Sequence, residues 1–235
     1  MNTYGADFGC IVIMEVHTGE IHAMVNLEKS QKGDFTNKSN TAVNYYFEPG
    51  SLMKTFDAMA LLEDRKSSIS TLYPSSDGKI TLNGKTITDA KEGGFGELSL
   101  GNALAYSSNT IFAQAVTNAY RKDPSAFVTR LKNCFNLSAL HLPFEVKSNP
   151  YFPRVNSPEW SEFTLPLLAV GYGLKLSPIQ ILTYYNALAN NGTLVQPRFI
   201  SLIKNKEGDK KHFTKSNIHA KICSNETSKK ITYYL

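Results

Sequence analysis

The chain has 235 residues, 42% of them hydrophobic and 19% charged, with 15 glycines and 10 prolines. That composition supports a buried core and excludes a disordered tail, a coiled coil and a collagenous or low-complexity chain. Lys and Arg outnumber Asp and Glu by only 25 to 20, and the basic residues are scattered apart from Lys204, Lys206, Lys210 and Lys211, so a nucleic-acid partner is not expected. In chain order, two β-rich apolar runs, 9–16 and 21–26, flank a short link containing Gly19 and predict a hairpin. Glu28 to Asn44 is rich in Lys, Ser and Asn and reads as an exposed loop. After Pro49-Gly50, the apolar positions Leu52, Met53, Phe56, Met59, Ala60, Leu61 and Leu62 carry helical spacing over 51–64.

Residues 65–97 are broken by Gly, Pro, Asp and Ser, with a small hairpin expected around Asn83-Gly84. Ser99 to Tyr120 is helical in pattern except at Ser107-Ser108-Asn109, and 124–136 is a further helix. Residues 142–162 form a Pro-rich connection holding the sole tryptophan, Trp160. Ser177 to Asn190 opens on Ser-Pro, an N-cap and first helical position, and stops at Asn191-Gly192. Residues 198–213 read as two strands around Glu207-Gly208, and 224–235 as the start of a helix. The length suits one domain, or one and a half, and no internal repeat is present.

Cys10, Cys134 and Cys223 lack any C-x-x-C spacing; Cys10 is expected to be a buried thiol, and a disulfide between the other two stays open. His17 and His22 have no third ligand nearby, so a zinc site is not expected. No run approaches the roughly 18 apolar residues of a membrane helix, and Asn2-Thr3-Tyr4-Gly5 is no signal peptide. Taken literally, such a chain is cytosolic; an excised piece of a larger protein reads the same way.

The chemistry begins at Ser51-Leu52-Met53-Lys54. Three S-x-x-K tetrads occur. Ser76 and Lys79 bracket a turn, and Ser201 and Lys204 fall in a strand pattern that points them to opposite faces. Only Ser51 and Lys54 open a helix, which puts them on one face a turn apart. A serine hydroxyl needs an adjacent base to become a nucleophile. A neutral lysine amine can serve once burial or a positive potential, such as a helix N-terminus, lowers its pKa.

Glu48-Pro49-Gly50-Ser51-Leu52-Met53-Lys54-Thr55-Phe56 resembles the active-site segment of penicillin-binding proteins, and Ser107-Ser108-Asn109, the sole S-x-N, resembles their second motif. Four more stretches resemble the class B branch: Thr18-Gly19-Glu20-Ile21 with Ala23-Met24-Val25; Asn40-Thr41-Ala42-Val43; Gly171-Tyr172-Gly173 with Ser177-Pro178-Ile179-Gln180; and Ala187 to Thr193 with Pro197. Each alone is ordinary turn or cap chemistry. Their common order over about residues 9–200 is not.

The third motif, K-T-G or K-S-G, does not occur. Lys85-Thr86-Ile87 and Lys91-Glu92-Gly93 precede Ser107, and Lys206-Glu207-Gly208 puts a charge where a small hydroxyl belongs. The chain is therefore expected to be a partial transpeptidase domain over 1–235, ending before that motif is due.

The resemblance implies an α/β fold of α+β type: an antiparallel sheet flanked by helices, with a helix-rich lobe, lacking its C-terminal strands. The hairpin spanning Ile11 to Val25 would then lack its usual partners. It also implies a peptidoglycan D,D-transpeptidase in which Ser51 attacks a D-Ala-D-Ala stem peptide and Lys54 is the general base. Ser107 would relay a proton to the leaving amine, and Asn109 would bond the substrate amide and Lys54. β-Lactams would acylate Ser51, no cofactor or metal is called for, and cell-wall synthesis proteins would be partners. The site would face the outside of the cytoplasmic membrane, held by an upstream helix and pedestal. A serine β-lactamase or D,D-carboxypeptidase shares these motifs, and a catalytically inactive binding module of the same fold is the rival from another class.

Overall fold

The computed structural model describes residues 1–37, 39–82, 84–135, 142, 146, 150–213 and 217–235. In chain order, β1 (Phe8–Met14), β2 (Ile21–Lys29) and β3 (Phe35–Thr36) are followed by α1 (Thr41–Asn44). A 3₁₀ turn over Gly50–Met53 runs into α2 (Lys54–Glu63). Next come β4 (Leu72–Ser76), β5 (Lys79–Leu82), β6 (Lys85–Thr88) and β7 (Gly96–Ser99). Helices α3 (Leu100–Ala105), α4 (Asn109–Tyr120), α5 (Pro124–Phe135), α6 (Thr164–Ala169) and α7 (Pro178–Ala189) follow. The chain closes with β8 (Thr193–Val195), β9 (Leu202–Lys204), β10 (Lys210–His212), β11 (Asn217–Lys221) and α8 (Asn225–Thr232).

These elements divide into two compact units, one of Met1–Tyr46, Phe135–Pro150 and Leu176–Ile222, the other of Phe47–Cys134, Tyr151–Lys175 and Cys223–Leu235. The first is built on the β1-β2-β3 sheet, with β1 and β2 antiparallel from Phe8↔Glu28 to Met14↔Ile21. Period-two alternation sends Val12 and Met24 inward against Val43 and Ile179 of α1 and α7. It sends Ile11, Ile13 and Val25 to the other face, where they are 66%, 53% and 47% exposed. Among the described residues β1 pairs with β2 alone.

The polar stretch 28–44 is not the exposed loop its composition suggests. β2 continues to Lys29, and Thr41, Ala42 and Val43 are buried. The side-chain oxygen Oδ1 of buried Asn26 accepts from Thr41 Oγ1 at 2.9 Å and from the Ala42 amide at 2.8 Å. Polar side chains here satisfy the start of α1 instead of meeting water.

The second unit holds most of the helices. α2 is buried along nearly its whole length, from Lys54 to Leu61, which explains why its apolar residues fall on more than one face. The hairpin expected near Asn83-Gly84 is the β5–β6 pair, Leu82 facing Lys85; Asn83 itself lies outside the described residues, as do 143–145 and 147–149 of the Pro-rich stretch 142–162. Two further expectations need revision. Among the described residues the strands form five small antiparallel sheets, of three strands at most, where one antiparallel sheet flanked by helices is expected. Cys10 is only partly buried, because its strand lies at the edge of the sheet, whereas Cys134 and Cys223 are buried and all three are free thiols.

Candidate active site

The site lies within the second unit. Ser51 sits in the 3₁₀ turn and Lys54 is the first residue of α2, so the predicted helix starts three residues late, although serine and lysine still face each other. Lys54 is 1% exposed. Its Nζ is 2.8 Å from Ser51 Oγ, 3.0 Å from Ser107 Oγ and 2.6 Å from Asn109 Oδ1. The structure thus brings all four sequence-predicted residues to one nitrogen. The other two tetrads make no such site: Lys79 and Lys204 are exposed.

Three oxygens around one amine have a chemical meaning. An ammonium has three protons and donates to all three; a neutral amine has two protons and one lone pair. Asn109 Oδ1 can only accept, so on loss of a proton it is a serine hydroxyl that turns round and donates to nitrogen. Burial pulls the Lys54 pKa down to about 8, and the negative charges of Asp57 and then Asp89 work against that shift. Desolvation, not the helix N-terminus, is its leading cause.

Ser107 and Asn109 are placed by a helix break. The Ser107 amide donates to Leu104 O and the Ser108 amide to Ala103 O, the paired bonds of a Schellman ending to α3. Ser107 takes the left-handed conformation that this ending requires, φ 56°, where glycine is the low-energy choice. Ser108 then caps α4 by accepting from the Ile111 amide at 3.2 Å. Asn109 Nδ2 donates to Thr88 O at 2.8 Å, which turns its Oδ1 toward Lys54.

Sequence reasoning missed Asp89. This buried carboxylate accepts from Ser75 Oγ at 2.6 Å, from Ser108 Oγ at 3.1 Å, and from the Thr110 amide and hydroxyl, both at 2.9 Å. It ties β4, the end of β6 and the first turn of α4 together beneath the S-x-N segment. No spacing rule reaches it, because its partners are brought together only by folding. The approach to Ser51 is held from another side: the Gly50 amide donates to Gly171 O at 3.0 Å, and the Gly173 amide to Glu48 Oε1 at 2.9 Å. Gly171 has φ +82°, and a Cβ there would land on the Gly50 carbonyl oxygen, so this position requires glycine. Among the described residues no three His, Cys, Asp or Glu gather as metal ligands.

The family model of the penicillin-binding protein transpeptidase domain matches residues 9–235. The chain belongs to that family, in its class B branch. This transpeptidase-family chain is 32% identical over 209 residues to penicillin-binding protein PbpB of Mycobacterium tuberculosis, covering 85% of the chain and 29% of that protein. It is 28% identical over 199 residues to the peptidoglycan D,D-transpeptidase FtsI of Escherichia coli K12, covering 80% and 31%. The solved apo structure of penicillin-binding protein 3 from Mycobacterium tuberculosis superimposes with a TM-score of 0.84 at 26% identity, over 100% of this chain and 52% of that one. The transpeptidase-family chain therefore spans about three-tenths of the length of these curated relatives.

Proposed function

We propose that this chain carries the acylation machinery of a peptidoglycan D,D-transpeptidase. The observation that carries the reading is a buried lysine amine holding the Ser51 hydroxyl at 2.8 Å, with Ser107 and Asn109 on its remaining bonds. The Ser51 oxygen attacks the carbonyl between the two D-alanines of a stem peptide while its proton passes to Lys54 Nζ. Collapse of the tetrahedral adduct breaks the amide bond, and the proton reaches the departing D-alanine amine through Ser107. The amine of a second stem peptide then attacks the acyl-enzyme and releases Ser51, completing the cross-link. Asn109 bonds the substrate amide while fixing Lys54.

β-Lactams enter the same scheme as substrates that acylate Ser51; penicillin-binding protein 3 of Mycobacterium tuberculosis has been solved with aztreonam and with ampicillin. The reaction belongs on the outer face of the cytoplasmic membrane with other cell-wall synthesis proteins. Among the described residues no helix is long and apolar enough to cross a membrane. One observation favours an inactive binding module instead: no K-T-G or K-S-G occurs in the sequence.

Fluorescent penicillin decides between them. In a version extended through a third motif, labelling should be covalent and Ser51→Ala should abolish it; undiminished labelling of that variant removes Ser51 as nucleophile. Lys54→Ala should fold and acylate about a hundredfold slower or worse, as loss of a general base does. A rate within about twofold of the parent places the base elsewhere.

A further inference from the structure

Asp57 lies three residues after Lys54 on α2, on the same face one turn along. It is 0% exposed, and neither carboxylate oxygen has a hydrogen-bond partner. Isolated ionised carboxylates in such surroundings are strongly unfavourable unless an opposite charge compensates them. The groups around it leave one source of that charge. Of the helices packed on α2, α3 carries no charged residue, and on α8 Lys229 and Lys230 are exposed, Lys230 being paired with Glu226 at 2.6 Å. Tyr120 of α4 gives its hydroxyl to Asp64 Oδ2 at 2.6 Å, and Asp64 is paired with Arg130 of α5. Asp89, after β6, is itself a carboxylate with its own set of donors. Lys54 remains: its three hydrogen-bond partners are neutral oxygens, and no carboxylate touches its amine among the described residues.

We infer that Asp57 is the buried counter-charge of Lys54, a positioning residue that sets the pH at which the amine becomes a free base. Its catalytic consequence rests on the transpeptidase reading above; the charge coupling does not. Each group senses the other: burial raises the Asp57 pKa far above the usual carboxylate range while Lys54 lowers it, and the Asp57 charge raises that of Lys54. An ionised Asp57 keeps the proton on Lys54. With a neutral residue of the same shape, burial acts on Lys54 unopposed and the amine is freed at lower pH.

The test reads charge, not activity. In the 235-residue chain, with ¹³C at lysine Cε, the Lys54 signal of Asp57→Asn should titrate about 1 pH unit or more below that of the parent. Reciprocally, Lys54→Met should raise the titration midpoint of the ¹³C-labelled Asp57 carboxyl, since linkage acts equally on both partners. An unmoved or raised Lys54 midpoint overturns the inference, and so does an Asp57 carboxyl indifferent to Lys54→Met. Because the two variants remove different partners, one that fails to fold leaves the other to decide. In an extended version, the pH of half-maximal penicillin acylation should fall with the Lys54 midpoint in Asp57→Asn. A Lys54 midpoint that moves while the acylation profile stays put sinks lysine as the base and leaves the coupling standing; a purely structural Asp57 would change rate or stability and move neither midpoint.

Discussion

At Lys54 Nζ, three oxygens converge within 2.6 to 3.0 Å on a nitrogen that carries three protons only when charged. With its pKa drawn down to about 8, the amine loses its proton as pH rises through that value, so acylation should climb over the same range. The amine depends on its surroundings as much as on its neighbours in sequence. Asp89 is the residue that builds those surroundings, and it is a candidate for substitution in its own right. Asp89→Ala leaves the hydroxyls of Ser75, Ser108 and Thr110 and the Thr110 amide without their shared acceptor. The expected loss is about 2–4 kcal/mol of unfolding free energy, measured by urea denaturation. A loss under about 0.5 kcal/mol would mean those donors find other partners.

The element that matters most is the junction of α3 and α4. Its backbone would be satisfied best by glycine at position 107, yet serine holds the left-handed conformation there. Strain of this kind is kept where a side chain earns it by function. Ser107→Gly should therefore slow penicillin acylation of an extended version with little net change in unfolding free energy, because relief of the left-handed strain is offset by loss of the hydroxyl that accepts from buried Lys54. A variant that keeps its full rate would show that the hydroxyl takes no part. The same junction shows what sequence can convey at this scale. Ser107-Ser108-Asn109 interrupts a helical pattern, and a turn ending plus an N-cap account for the interruption completely. The direction in which the Asn109 oxygen points comes from Thr88 O, 21 residues away, which no local pattern encodes.

For the whole molecule, the 235 residues supply Ser51, Lys54, Ser107 and Asn109 but no K-T-G strand. The resemblance to penicillin-binding proteins implies that such a strand contributes an oxyanion donor and holds the ligand carboxylate, and loss of one such donor typically costs about a hundredfold or more. The 235-residue chain should accordingly label with penicillin very slowly or not at all. Stoichiometric labelling within minutes at micromolar penicillin would show that another element takes the strand's place. The exposed Ile11, Ile13 and Val25 face of the first sheet is a further property of the chain as it stands, and an apolar strand pattern of that kind favours self-association.

The amino-acid sequence alone determined the hairpin at the start, the long helix from Ser177, the helix break at Ser107 and the pairing of Ser51 with Lys54. Each is a local matter: alternation, capping and one helical turn of spacing act over a few residues. Tertiary structure alone decided that Thr41, Ala42 and Val43, at the end of a polar stretch, turn inward, because Asn26 had to find its donors. It alone recruited Asp89 and enclosed Asp57, and it buried Lys54 to 1% exposure. The pKa of an amine depends on how much water and which charges surround it, and both are set by segments distant in sequence that meet only when the chain has folded.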